Sequence, residues 1–354
     1  MKKRLKRLHN LLRQENVDGV IVTKPENRRY FSGFTGTAGM LLITAEAQWL
    51  ITDFRYVEQA VQQAQDFEVI RHGVSIYETL ADLLRPLDLA RIGFEADYVT
   101  WDVYQALNGS IGTELAPLRL DGLRMVKDTD ELLLLKKAVA IADHAFEHIL
   151  SFLKPGVSER EIALELEFAM RRQGAEKAAF DIIVASGARS ALPHGVASEK
   201  LIEAGDLVTL DFGAVYQGYH SDITRTVVVG RASAKQRQIY DIVLAAQQTG
   251  ISVLRPGLAG REVDKAARAV IADAGYGEFF GHGLGHGAGL AIHEEPRLSP
   301  NGSIILEENM IVTVEPGIYL PDWGGVRIED MVVLTASGCE VLTGSSKQII
   351  ELDW

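Results

Sequence analysis

At 354 residues, with 47% hydrophobic and 24% charged residues, the chain has an ordinary globular balance and length enough for two domains. Its formal net charge of -12 excludes the basic surface that nucleic-acid binding needs, and no apolar run reaches the length of a membrane span. The single cysteine, Cys339, excludes an internal disulfide, and no neighbouring histidine marks it as a catalytic thiol.

In chain order, Leu5, Leu8, Leu11 and Leu12 are interleaved with Lys and Arg. That pattern predicts an amphipathic helix rather than a secretory signal, and a cytoplasmic protein. Apolar runs at 20–22, 41–43 and 49–51 predict strands, and 55–65, 77–84 and 100–108 predict helices, together an α/β domain. The polar stretch 121–128 marks a boundary, dividing the chain into 1–124 and 125–354. Asp128 and Glu131, at capping-box spacing, open a helix expected to run to Lys154. Ser158 and Glu161 open the next, which stops at Gly174.

The second part of the chain repeats itself. Leu153-Lys154-Pro155-Gly156 returns as Leu254-Arg255-Pro256-Gly257, Arg160-Glu161 as Arg261-Glu262, and the stop at Gly174 as Gly275. Thr209-Leu210-Asp211-Phe212-Gly213 is answered by Thr313-Val314-Glu315-Pro316-Gly317. An internal duplication about a pseudo-twofold axis would bring equivalent positions together. Asp211 and Glu315 form one such pair, Asp222 and Glu329 another.

These acids sit beside apolar strands. Asp211 ends the run 207–210, Asp222 heads 223–229, Glu315 ends 310–314, and Glu329 precedes 331–334, with Gly213, Gly218, Gly324 and Gly325 in the turns between. Any one of them could cap a strand or pair with an arginine. All four at matched places would repel and resist desolvation unless a cation neutralised them. The segment Gly281-His282-Gly283-Leu284-Gly285-His286-Gly287 adds imidazoles where the backbone must approach something closely, with no P-loop lysine to suggest a nucleotide. Four carboxylates with one imidazole, from among His194, His282, His286 and His293, form an oxygen-rich ligand set suited to Mn²⁺, with Co²⁺, Zn²⁺ or Fe²⁺ as alternatives. Two ions ~3.5–4 Å apart and a bridging hydroxide as nucleophile make up a two-metal hydrolase.

At these residues the sequence resembles the proline-specific branch of the pita-bread metallopeptidases, the Xaa-Pro dipeptidases (prolidases) and Xaa-Pro aminopeptidases. Asn27 to Phe34 and Trp49 to Asp53 resemble that branch's amino-terminal domain, and residues from about 129 onward its catalytic domain. The resemblance implies an α/β amino-terminal domain and an α+β catalytic domain of pita-bread fold with internal pseudo-twofold duplication. Two divalent ions per chain are implied, bridged by Asp222 and Glu329, with Asp211 on one and His286 and Glu315 on the other. Glu315 also matches the family's proton acceptor. His194, His282 and His293 match histidines that contact the substrate and stabilise the tetrahedral intermediate. Arg327 matches an arginine that holds the ligands, Tyr319 a tyrosine at the site's edge, and Arg297 an arginine facing the substrate carboxylate. The expected substrate is a small peptide with proline second, cut by a homodimer. Xaa-Pro aminopeptidase action on longer peptides is the alternative. A methionine aminopeptidase lacks so long an amino-terminal domain, and creatinase or a non-catalytic binding member would lack the full ligand set.

Overall fold

The computed structural model describes residues 2–353, in two compact units, 1–124 and 125–354. No described helix is long and apolar enough to cross a membrane.

In the first unit, α1 (Lys2–Gln14) buries Leu5, Leu8 and Leu12, the face that the leucine spacing defines. Then follow β1 (Gly19–Val22), α2 (Pro25–Ser32), β2 (Met40–Thr44), β3 (Gln48–Thr52), α3 (Val57–Gln63), β4 (Glu68–Arg71), α4 (Ile76–Leu84), β5 (Arg91–Glu95), α5 (Trp101–Ser110) and β6 (Glu114–Leu118). One sheet of order β4-β3-β2-β1-β5-β6 joins them, with β2 antiparallel to both neighbours and the other pairs parallel.

The second unit opens with α6 (Thr129–Ile149) and α7 (Glu159–Arg172), each started by a complete capping box, Asp128 with Glu131 and Ser158 with Glu161. Helix α6 stops five residues short of Lys154. There Phe152 N–H bonds the Ile149 carbonyl and the Ser151 hydroxyl donates to that of His148, so local bonds replace the helical ladder. Next come β7 (Lys177–Ala178), β8 (Ile183–Ser186), β9 (Leu207–Phe212), β10 (Ala214–Tyr216), β11 (Tyr219–His220) and β12 (Ile223–Val229). Helices α8 (Ala234–Val253) and α9 (Gly260–Asp273) precede β13 (Gly285–Gly287), β14 (Glu294–Leu298), β15 (Ile311–Val314), β16 (Gly317–Leu320), β17 (Gly324–Arg327), β18 (Asp330–Leu334), β19 (Cys339–Val341) and β20 (Glu351–Leu352).

The duplication is visible bond by bond. Helix pair α6–α7 is answered by α8–α9, and the antiparallel run β8-β9-β12 by β13-β15-β18. Gly156 and Gly257 adopt φ of +89° and +91°, and their N–H groups bond Ile202 and Leu306 carbonyls, both at 2.9 Å. Arg160 and Arg261 N–H groups likewise bond Ser198 and Gly302. Each half has its own apolar core. Phe146, Ile162, Leu166, Val184 and Leu210 fill the first, and Val243, Val263, Ile271, Val312 and Val332 the second. Each such side chain contributes about 1.5–3 kcal/mol, enough together to hold a polar cluster that would not assemble by itself.

Candidate metal centre

Antiparallel pairing sets Thr224 opposite Asp211 and Ile223 opposite Phe212, so the ends of β9 and β12 carry Asp211 and Asp222 side by side. Gly213 is required there, because a Cβ would lie 1.8 Å from the Ser221 carbonyl oxygen. In the second half β15 pairs with β18, placing Val314 opposite Asp330, with Glu315 and Glu329 just beyond the paired residues. The halves meet where Glu329 N–H bonds the Thr224 carbonyl at 3.1 Å and the Thr224 hydroxyl donates to Glu329 Oε2 at 2.7 Å. His286 arrives on β13 between two glycines without room for side chains. A Cβ on Gly285 would lie 2.0 Å from the Thr313 carbonyl oxygen, and one on Gly287 2.3 Å from that of Glu295.

The four acids and His286 therefore line one cavity of about 540 Å³, together with His194, His282, His293, Arg297 and Arg327. Donor atoms of Asp222, His286 and Glu329 lie within 4.8 Å of one another, with Asp211 and Glu315 on the same wall. Tyr319 stands behind that wall, its hydroxyl between His282 Nε2 (2.8 Å) and Arg327 Nη1 (2.9 Å).

The electrostatics are those of a site waiting for positive charge. Burial raises the Asp222 carboxyl well above its ordinary range, and Asp211 and Glu315 add to it. Burial likewise raises Glu329, followed by repulsion from Asp222, Glu315 and Asp211. Glu315 is pushed up to about 8 by burial, against the pull of Arg327. Two buried carboxylate oxygens, Asp211 Oδ1 and Glu329 Oε1, have no hydrogen-bond partner. An orphaned buried acceptor costs about 1–3 kcal/mol, and more when charged. His286 is lowered to about 3, by burial first and His293 second, so its imidazole is neutral. Its Nδ1 faces the Gly287 carbonyl at 3.0 Å and must carry the proton. The Nε2 lone pair is left facing Asp222 Oδ2 at 3.5 Å and Glu315 Oε1 at 3.4 Å. Four acids, two orphaned oxygens and one neutral imidazole fit a divalent cation.

Around the acids runs a bracing network. Arg327 donates from Nη2 to Asp211 Oδ2 at 2.5 Å and from Nε to the Thr224 hydroxyl at 3.1 Å. Burial opposes its charge, but Tyr319, Asp211 and Glu315 secure it. Thr313 accepts from His286 N–H at 3.0 Å and donates to Glu315 Oε1 at 3.2 Å. Neither Thr224 nor Thr313 figures among the sequence candidates. The signal was there: threonines inside Val/Ile-rich strands, two residues from a carboxylate.

Of the outer candidates, His194, His293 and Arg297 stand exposed at the cavity, and the His293 ring meets that of His286 edge-on at 4.4 Å. His282, expected to contact the substrate, lines the cavity with its ring held from both sides. Its Nδ1 donates to the Gly283 carbonyl at 2.8 Å, so Nε2 accepts from the Tyr319 hydroxyl, and both ring nitrogens are engaged. Burial lowers its pKa to about 4, which keeps this neutral arrangement at physiological pH.

Residues 134–336 match metallopeptidase family M24, and residues 4–126 match the creatinase/prolidase N-terminal domain. The chain is 40% identical to a Pyrococcus furiosus protein named Xaa-Pro dipeptidase, covering 99% of this chain and 100% of that protein. Among solved structures, an Xaa-Pro dipeptidase from Bacillus anthracis is 51% identical with a TM-score of 0.97, covering 99% of each chain. An X-Pro aminopeptidase from Thermotoga maritima is 41% identical with a TM-score of 0.91, covering 98% of this chain and 99% of that one.

Proposed function

The chain belongs to metallopeptidase family M24, and from that premise we propose that it is an Xaa-Pro dipeptidase, hydrolysing the peptide bond before proline with two divalent metal ions. The observation that carries this reading is the convergence of Asp211, Asp222, His286, Glu315 and Glu329 on one cavity, with two carboxylate oxygens left without partners. Asp211, Asp222 and Glu329 would hold one ion and Asp222, Glu329, His286 and Glu315 the other, as the family resemblance implies. Mn²⁺ suits this oxygen-rich set with one imidazole. When bound, the ions polarise the scissile carbonyl and lower the pKa of water to near neutrality.

The protein's own groups do the rest. Glu315 accepts the proton of the attacking water and delivers it to the leaving nitrogen. That nitrogen has no hydrogen in an Xaa-Pro bond and must gain one to leave as the secondary amine of proline. His194 and His293, exposed at the cavity, contact the peptide and stabilise the developing oxyanion. His282 contributes a wall of the cavity, and through Tyr319 it steadies Arg327, which holds Asp211. Arg297, on β14 opposite His286, faces the substrate carboxylate. We take a homodimer as the working assembly, from the family resemblance, and the cytoplasm as its compartment.

Two measurements test this assignment. Comparing an Xaa-Pro dipeptide with a tripeptide that begins Xaa-Pro should give strong turnover of the dipeptide. Turnover of the tripeptide alone would establish the second reading, an Xaa-Pro aminopeptidase, which the likeness to the Thermotoga maritima enzyme supports. His293→Ala should keep the metal content of the wild type and lower kcat about 10²-fold, the scale of losing one oxyanion donor. Loss of metal from that variant would move His293 into the ligand set.

A further inference from the structure

The glycine-rich segment that delivers His282 and His286 has little side chain with which to anchor itself. Gly281, Gly283 and Gly285 alternate with the residues the site uses, and glycine loses the most conformational freedom on ordering. A fixed geometry here needs hydrogen bonds from outside the segment. They come from α9. Arg268 donates from Nη1 to the Phe280 carbonyl at 2.8 Å and from Nη2 to the His282 carbonyl at 2.7 Å. Its guanidinium also lies 4.1 Å from the centre of the Phe280 ring. Asp264, one turn earlier and 1% exposed, accepts from Leu284 N–H at 3.0 Å. The same aspartate takes Arg268 in a two-pronged pair at 2.9 and 2.8 Å, which fixes the fork.

The pair thus grips the backbone at 280, 282 and 284, and each grip leads inward. The Phe280 ring packs edge-on against that of His282 at 5.0 Å, and His282 Nε2 takes the Tyr319 hydroxyl, which receives Arg327. The Leu284 carbonyl accepts Glu315 N–H at 2.8 Å. The duplication supplies a control inside the same molecule. At the 101-residue offset relating Gly156 to Gly257, Asp264 and Arg268 correspond to Ala163 and Glu167 on α7. The pair is absent from the half whose corresponding segment delivers no metal-ligating histidine, so it is not a requirement of the helix scaffold.

We infer that Asp264 and Arg268 are positioning residues for catalysis. Arg268 acts through His282 to hold Tyr319 and Arg327 in working register, and Asp264 through Leu284 to hold Glu315. This rests on the cavity being the peptidase site, and the test separates the two claims. Amide hydrogen exchange of residues 280–285 reads the grip without turnover. Arg268→Ala should speed it about tenfold or more while α6 and β9 stay protected. On an Xaa-Pro dipeptide the same variant should lose about 10–100-fold in kcat, with KM and metal content near wild type. Arg268→Lys keeps the charge and the stem but not the two-carbonyl fork, and should fall between. It also decides the matter if the alanine variant does not fold.

The decisive comparison is with His282→Ala. If Arg268 works through that ring, the double variant should be no slower than His282→Ala alone. Losses that multiply, or unchanged exchange in either Arg268 variant, would overturn the inference. A wild-type protein that leaves Xaa-Pro peptides intact overturns the proposed substrate instead, and leaves the exchange result to judge the grip.

Discussion

Glu315→Gln is expected to lower kcat/KM on an Xaa-Pro dipeptide by about 10²–10⁴-fold, the scale of losing a general base. Glutamine has nearly the shape of glutamate, and its amide oxygen can keep the Thr313 hydroxyl that now reaches Glu315 Oε1 at 3.2 Å. What it cannot do is take a proton. In the empty site burial pushes the Glu315 carboxyl up to about 8, against the pull of Arg327; a bound cation would draw it back down, and what glutamine removes from the loaded enzyme is the proton acceptor itself. One donor toward the metal is also lost, so metal content should fall along with rate. Steady-state kinetics and elemental analysis on one preparation check both. Near-normal turnover would remove Glu315 from both roles.

How much of this could be read without a structure depended on whether the signal was local. Asp211, Asp222, Glu315 and Glu329 could be read because each stands at the end of an apolar strand, and because Gly156 and Gly257, or Gly174 and Gly275, repeat in register. The amphipathic α1 was legible from three leucines at helical spacing. In contrast β4, β5 and β6 escaped. Glu68–Arg71 and Glu114–Leu118 carry too few apolar residues to announce a strand, and they are held as sheet neighbours by residues distant in sequence. Thr224 escaped because a threonine in a strand is ordinary until one sees Glu329 Oε2 2.7 Å from its hydroxyl. Asp264 and Arg268 look like an ordinary i,i+4 pair on a helix face, and only tertiary packing sets the fork against the carbonyls of Phe280 and His282. The error at the end of α6 has a similar origin. A proline and glycine mark where a helix must already have stopped, not where Ser151 and Phe152 begin to unwind it.

Glu329→Gln should abolish turnover and yet raise the melting temperature of the metal-free protein. Glu329 is 1% exposed, one of its oxygens accepts from Thr224, and the other has no partner. With no cation present, burial and then Asp222 hold its carboxyl well above the ordinary range. A carboxyl whose folded pKa exceeds its unfolded one destabilises the fold as pH rises past the unfolded value. The deficit is absent near pH 4 and grows toward neutrality. Glutamine never ionises, so at pH 8 the metal-free variant should melt several degrees above metal-free wild type, with the gap closing as pH falls toward 4–5. Adding Mn²⁺ should reverse the order. Ligand at about 100 times its Kd contributes about 2.7 kcal/mol to the wild type and little to a variant lacking a shared ligand. Thermal melts with and without chelator at the two pH values check all four corners. A metal-free variant less stable than wild type at pH 8 would make Glu329 a structural acceptor for Thr224. The expected inversion arises because burial and like charge cost the empty site stability, and a bound cation turns the same groups into attraction.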